Sequence, residues 1–299
     1  MKTQHYRFTL LLLAAFFITN LSFAQRDRDE DKGDEFHLDK VYEMSATGTL
    51  NLNTEDADVR IVGSNRSDVH VKIDRVVTSR GVSSRSRSFD VDVENRNGDL
   101  FIRENKGRSR GFIGVGYFRT DYDILIELPE GASLNVRGED DDYYVKNVNG
   151  TIEMETEDGD IELVDCNGDD FEFILEDGDL KLDGGKGKFY ARLDDGDIDM
   201  VNGAFDNVEI QVEDGSVTME TGIVDNGIYD IRADDARIDF VVLSGGGDFR
   251  VTKDDGRVRA TSDFETIREN DYRSELKLAG GKADVQIRTN DGSVRLSKR

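Results

Sequence analysis

The strongest constraint on this chain is a four-residue phrase that returns about every nineteen residues. It reads "EDGD" at 157–160 and 176–179, "DDGD" at 194–197, "EDGS" at 213–216, "DDAR" at 234–237, "DDGR" at 254–257 and "NDGS" at 290–293. The third positions, Gly159, Gly178, Gly196, Gly215, Ala236 and Gly256, are 19, 18, 19, 21 and 20 residues apart, and the step on to Gly292 is 36, two periods spanning one degenerate corner. A second series of turns, at Gly150, Gly168, 184–187, Gly203 and Gly222, falls about midway. The chain therefore turns every nine or ten residues, and repetition at such a period is the signature of a stacked architecture.

Between turns the apolar residues alternate, as in Ile152 and Met154, Ile161 and Leu163, Phe171 and Phe173, and Leu180 and Leu182. Period two over about five residues, bounded by Gly, Asn and Asp, predicts strands with one buried face. A single repeat has too few inward side chains to offset the entropy of ordering it, so repeats must stack. The predicted fold is all-β: a β-solenoid of ~19-residue, two-strand rungs rising ~4.8 Å each. The alternative is an antiparallel meander, because Asp-Gly between strands is also a hairpin signal. A hairpin at Asp158-Gly159 sets Glu157 against Asp160 and Glu155 against Glu162, which disfavours it, whereas a solenoid stacks carboxylates in a column.

The chain opens with Lys2, Arg7 and the apolar run "FTLLLLAAFFIT", then "LSFAQ", which reads as a secretory signal over residues 1–24. No segment approaches the ~20 apolar residues of a membrane span. Export is the expected fate, to the periplasm, cell surface or extracellular space. Residues 25–38, "QRDRDEDKGDEFHL", read as a flexible acidic leader. Residues 39–130 read as a less regular β-rich start, a cap continuous with the solenoid, in which "NTEDADVRI" is an early corner with Ala57 in the glycine place; 131–299 carry the regular repeats. A formal net charge of −25 argues against nucleic acid as a partner. Cys166 is the only cysteine, so no intramolecular disulfide holds the chain.

The stretch "LPEGASLNVRGEDDDYYVKNVNGTIEMETEDGDIELVDCNG", residues 128–168, resembles a bacterial family of exported β-strand-repeat proteins regarded as adhesin candidates of unknown function. "METEDGDIELVDCNG" fits that family's repeating unit, and the likeness runs over residues 40–299. It implies an exported solenoid-like domain with no catalytic residue to carry over. This chain departs from the pattern in using Asp-Gly-Asp where Ser-Gly-Asp is commoner.

That departure raises calcium, since stacked Asp158, Asp160, Asp177, Asp179, Asp195 and Asp197 line one edge. The spacing matches neither the EF-hand loop nor the Gly-Gly-x-Gly nonapeptide. The plainer reading is that Gly supplies a positive φ while Asp bonds the local backbone. The acid after the glycine also gives way downstream to Ser216, Arg237, Arg257 and Ser293. For catalysis, the chain beyond the signal offers only His37, in the leader, and His70, with no Gly-x-Ser-x-Gly and no His-Glu-x-x-His. Paired carboxylates hydrolyse glycosides, but among 64 acidic residues some pair always looks suitable. Arg80, Arg85, Arg87, Arg108 and Arg110 form a basic concentration that suits an anionic glycan, an acidic region of the protein, or plain solvation. The stretch "GFIGVGYF" has Gly114 and Gly116 but not the setting of a dinucleotide site. Cys166 reads as a half-buried small side chain.

No catalytic, cofactor-binding or metal-binding residue is therefore assigned. The expected protein is a non-catalytic, adhesin-like structural or binding module of the cell envelope, whose partner is an envelope or surface component, glycan or protein, with oligomeric state unspecified. A carbohydrate-active enzyme on the same scaffold and a calcium-dependent repeat protein are the alternatives.

Overall fold

A computed structural model describes residues 35–82, 89–106 and 115–299. Every regular element in them is a strand: β1 (Glu35–Glu43), β2 (Thr49–Asn53), β3 (Asp58–Ser64), β4 (Asp68–Val82), β5 (Phe89–Arg96), β6 (Asp99–Lys106), β7 (Val115–Pro129), β8 (Ser133–Arg137), β9 (Asp142–Lys146), β10 (Ile152–Asp158), β11 (Ile161–Val164), β12 (Asp170–Asp177), β13 (Leu180–Asp183), β14 (Lys186–Gly222), β15 (Ile228–Ser244), β16 (Gly247–Ala260), β17 (Phe264–Glu269), β18 (Arg273–Leu278) and β19 (Ala283–Lys298). The solenoid expectation is borne out. Successive repeats pair in parallel and in register, Asp158 beside Asp177 and Asp177 beside Asp195, so the meander does not describe the body of the fold.

Each rung lays one strand on either of two faces. The first face runs β6, β2, β8, β10, β12, β14, β15, β19, β16; the second runs β7, β3, β9, β11, β13 and then the C-terminal parts of the same long strands. Ala57 does occupy an early corner, as the register of β3 with β9 shows. Alternate residues point inward and form one continuous core. Its middle is aromatic, with Phe171, Phe173, Phe189 and Phe205 in mutual contact at centroid separations of 5.3–6.5 Å. Cys166 is fully buried in this core rather than half-buried, and burial pushes its thiol up to about 11.

The corner glycines obey two demands. Gly196 has φ +142°, and a Cβ there would lie 2.0 Å from the carbonyl oxygen of Gly178 on the rung below. The positive φ is the expected part; the close approach is set by the next rung and is silent in the local sequence. At the opposite corner the positive-φ place is open, with nothing nearer than 4.0 Å to a Cβ at Gly184, and accepts Asn147, Asp165 and Asn202.

Three expectations are corrected. The leader stops short of residue 38, since residues 35–38 begin β1, where Phe36 and Leu38 alternate inward against the core. Consequently His37 sits on a paired strand, its Nδ1 2.8 Å from Asp74 Oδ1. The 36-residue step also hides no degenerate corner. Gly256 and Gly292 are in register on adjacent rungs, because the residues between them form the antiparallel hairpin β17–β18, and β19 then slots between β15 and β16. The start of the chain does likewise: β2 and β3 lie between the later strands β6 and β7 on one side and β8 and β9 on the other. The signal segment, residues 25–34 of the leader, and Arg85, Arg87, Arg108, Arg110 and Gly114 lie outside the described residues.

Gly196→Ala should therefore destabilise the protein by about 3 kcal/mol or more. Gly184→Ala, at φ +96° but with its nearest neighbour 4.0 Å away, should cost only about 1–2 kcal/mol. Urea unfolding of the two variants checks the contrast. Ending the chain at residue 281 should strip amide-exchange protection from β16 to β18 as well, because β19 is their link to the stack.

Candidate functional site

The acid phrase builds a ladder. The backbone N–H of Asp160 donates to Asp142 Oδ1 at 2.9 Å, that of Asp179 to Asp160 Oδ1 at 2.9 Å, and that of Asp197 to Asp179 Oδ1 at 3.1 Å. Ser216 Oγ donates to Asp197 Oδ1 at 2.9 Å. Each aspartate thus bonds the next rung, not its own turn. Above Ser216 the same column continues with Arg237, Ser293 and Arg257 in register. Asp158, Asp177 and Asp195 form a second column before the glycines, exposed to solvent. Among the described residues no three or more Asp, Glu, His or Cys side chains converge in a metal-binding group.

At its N-terminal end the ladder runs into a groove of about 500 Å³ on the outside of the second face. Asp123, Asp58 and Asp142 stand side by side there on β7, β3 and β9. Desolvation, then the charges of Asp123 and Asp142, push the Asp58 carboxyl up. Arg60 lies over the Tyr144 ring, 4.3 Å from its centroid, and Lys72 Nζ is 2.8 Å from Asp74 Oδ2.

A second groove, of about 480 Å³, opens on the outside of the first face. Two in-register rows cross β6, β2 and β8: Phe101, Asn51, Asn135 and, two residues on, Arg103, Asn53, Arg137. The alternate residues, Leu100 with Ile102, Leu50 with Leu52 and Leu134 with Val136, are buried beneath. Arg96 and Arg103 flank the Phe101 ring at 5.4 and 5.5 Å.

Between the grooves lies a buried polar knot at the first corner. Asp141, fully buried, accepts the N–H of Ala57 at 2.7 Å and of Glu139 at 3.1 Å, and the Tyr143 hydroxyl at 3.2 Å. Burial raises its carboxyl against those bonds. Glu104 on β6 accepts the N–H of Glu55 at 3.0 Å, and burial pushes it up to about 7. The buried Tyr122 hydroxyl lies beside it, and burial followed by the Glu104 charge pushes that hydroxyl up. Sequence reasoning did not find this knot or either groove, since their members come from strands distant in the chain. His70 stands apart, paired with Asp39 at 2.8 Å and Glu127 at 3.0 Å, and both bonds raise it.

Parallel rungs, a shared core and polar outer faces define a β-solenoid repeat protein. The chain matches the family described as Toastrack DUF4097 over residues 48–297 and belongs to it, as the resemblance in its repeats implied. No functionally curated protein matches the chain. Similar solved structures include an adhesin candidate from Parabacteroides merdae, 12% identical over 88% of this chain and 96% of that one with a TM-score of 0.44. Another, from Bacteroides fragilis, is 12% identical over 87% and 97% with a TM-score of 0.43. A candidate cell adhesion protein from Clostridium sporogenes is 12% identical over 89% and 100% with a TM-score of 0.31.

An acid whose folded pKa is raised binds its proton more tightly folded than unfolded. The Glu104 contribution is therefore present below the unfolded value of about 4.3 and is lost as pH rises through about 7. Glu104→Gln keeps an acceptor for the Glu55 N–H, so it should melt above the parent protein at pH 8 and beside it at pH 4. Calorimetric melts at the two pH values check this.

Proposed function

We propose that the protein is an exported, non-catalytic module of the cell envelope that binds a surface component, glycan or protein, through its outer faces. The observation that carries this reading is the pair of grooves on opposite faces of the N-terminal rungs. Both are built from in-register side chains over one buried core. A stacked scaffold suits such work, because inward residues fix the strands while outward residues vary without unfolding them. The signal-like opening of the sequence supports export. Among the described residues, no helix is long and apolar enough to cross a membrane.

The test is an array of glycans and envelope proteins probed with residues 25–299. Retention of a defined component, with no release of reducing sugar from the glycans, is the expected result. Release of sugar that stops when one acidic pair is changed to amides overturns the reading in favour of an enzyme.

A further inference from the structure

The first-face groove differs in chemistry from the rest of this acidic molecule. Residues 130–246 hold 33 Asp and Glu against 8 Lys and Arg, a net of −25, while the remaining residues hold 31 of each. The groove lies on β6, β2 and β8, at the border of that body, and takes its six functional side chains from two rows. The row Arg103, Asn53, Arg137 presents two guanidinium groups with an amide between them. Guanidinium groups present a planar donor fork that matches a carboxylate. Their strands stand two spacings apart, about 10 Å, so a ligand lying across the strands reaches both.

The partners of these side chains leave donors to spare. Arg103 forms no ion pair among the described residues, and Asn53 no side-chain hydrogen bond. Among the described residues the Arg137 side chain is held by a long 3.6 Å pair with Glu155, both side chains well exposed, and such pairs are weak in water. The other row sets an aromatic ring, Phe101, beside the amides of Asn51 and Asn135. Asn51 spends one N–H on Thr49 O at 3.3 Å and Asn135 one on Glu153 Oε2 at 3.1 Å, and each keeps its carbonyl oxygen. Amides that both donate and accept suit hydroxyl groups, an aromatic ring offers an apolar patch, and paired arginines suit a carboxylate. A nucleic acid backbone needs a longer basic track than two arginines.

We propose that this groove binds a carboxylate-bearing sugar of the uronic acid type, its carboxylate toward Arg103 and Arg137 and its hydroxyls toward Asn51, Asn53 and Asn135. The assignment rests on the binding-module reading and gives it a site and a ligand class. It also places anion recognition on the described rungs rather than in the basic loops singled out from the sequence.

The experiment is calorimetric titration of residues 25–299 with oligosaccharides carrying a single uronic acid residue, their carboxyl-reduced neutral counterparts, and inorganic phosphate. Binding of the acidic oligosaccharide at least tenfold tighter than either of the others is expected. Arg103→Gln with Arg137→Gln should remove that preference, and Asn53→Ala should weaken acidic binding several-fold. Tyr144→Ala, in the opposite groove, should leave it intact; unchanged melting of each variant shows that the fold is kept. Equal binding of phosphate, or acidic binding that survives the double arginine change, overturns this assignment while leaving the module reading standing. If neither these sugars nor any component of the array binds, both fall.

Discussion

The fold depends on how near one corner comes to the next. Between Gly196 and the Gly178 carbonyl there is no room for a methyl group, and the same closeness lets the fourth residue of each phrase reach across. Asp142, Asp160 and Asp179 each hold the N–H of the aspartate above. One phrase thus answers two requirements, an absent side chain where backbones touch and a short acceptor where a donor needs a partner. Neighbouring carboxylates at ~5 Å in water repel by only about 0.8 kcal/mol. A hydrogen bond to a charged acceptor is worth about 1.5–3 kcal/mol, so the ladder is favourable even before counter-ions screen it.

The same repetition explains what the sequence hides. Period and alternation identify a rung, because they follow from residues adjacent in the chain. They carry nothing about which rung lies next to which. The corner at Gly256 fits the one at Gly292 as well as any consecutive pair fits, so an interleaved order and a simple one read alike until the register is seen. Ala57 was legible as an early corner for the local reason. Its pairing with the Asp141 carboxylate, 84 residues on, was not. The start of β1 was obscured by charge: Glu35, His37 and Asp39 dominate the composition while Phe36 and Leu38 provide the inward face.

The candidate site was less legible still. Phe101, Asn51 and Asn135 read separately as outward residues of three strands, and only the pairing of β6 and β8 on either side of β2 makes them one row. Asparagine is a turn signal in this chain wherever it precedes glycine. At Asn51, Asn53 and Asn135 it faces solvent from within a strand, where β propensity disfavours it. Polar amides at such positions, without a turn to explain them, were the available hint.

Net charge shows how a whole-molecule quantity misleads at the scale of a site. A total of −25 argues against a polyanion spread along the acidic body, and that argument stands for the ladder edge. Screening at physiological salt confines each exposed charge to about 8 Å, so a ligand in the first-face groove responds chiefly to side chains within that reach. Those include Arg103, Arg137 and Arg96 as well as Glu94, which pairs with Arg96 beside β6, and Glu153 and Glu155 on β10. The acids tether the ends of that groove and admit one carboxylate between the arginines, but they oppose a second charge further along β10. The geometry thus favours an isolated acidic residue within an otherwise neutral saccharide over a uniformly charged chain.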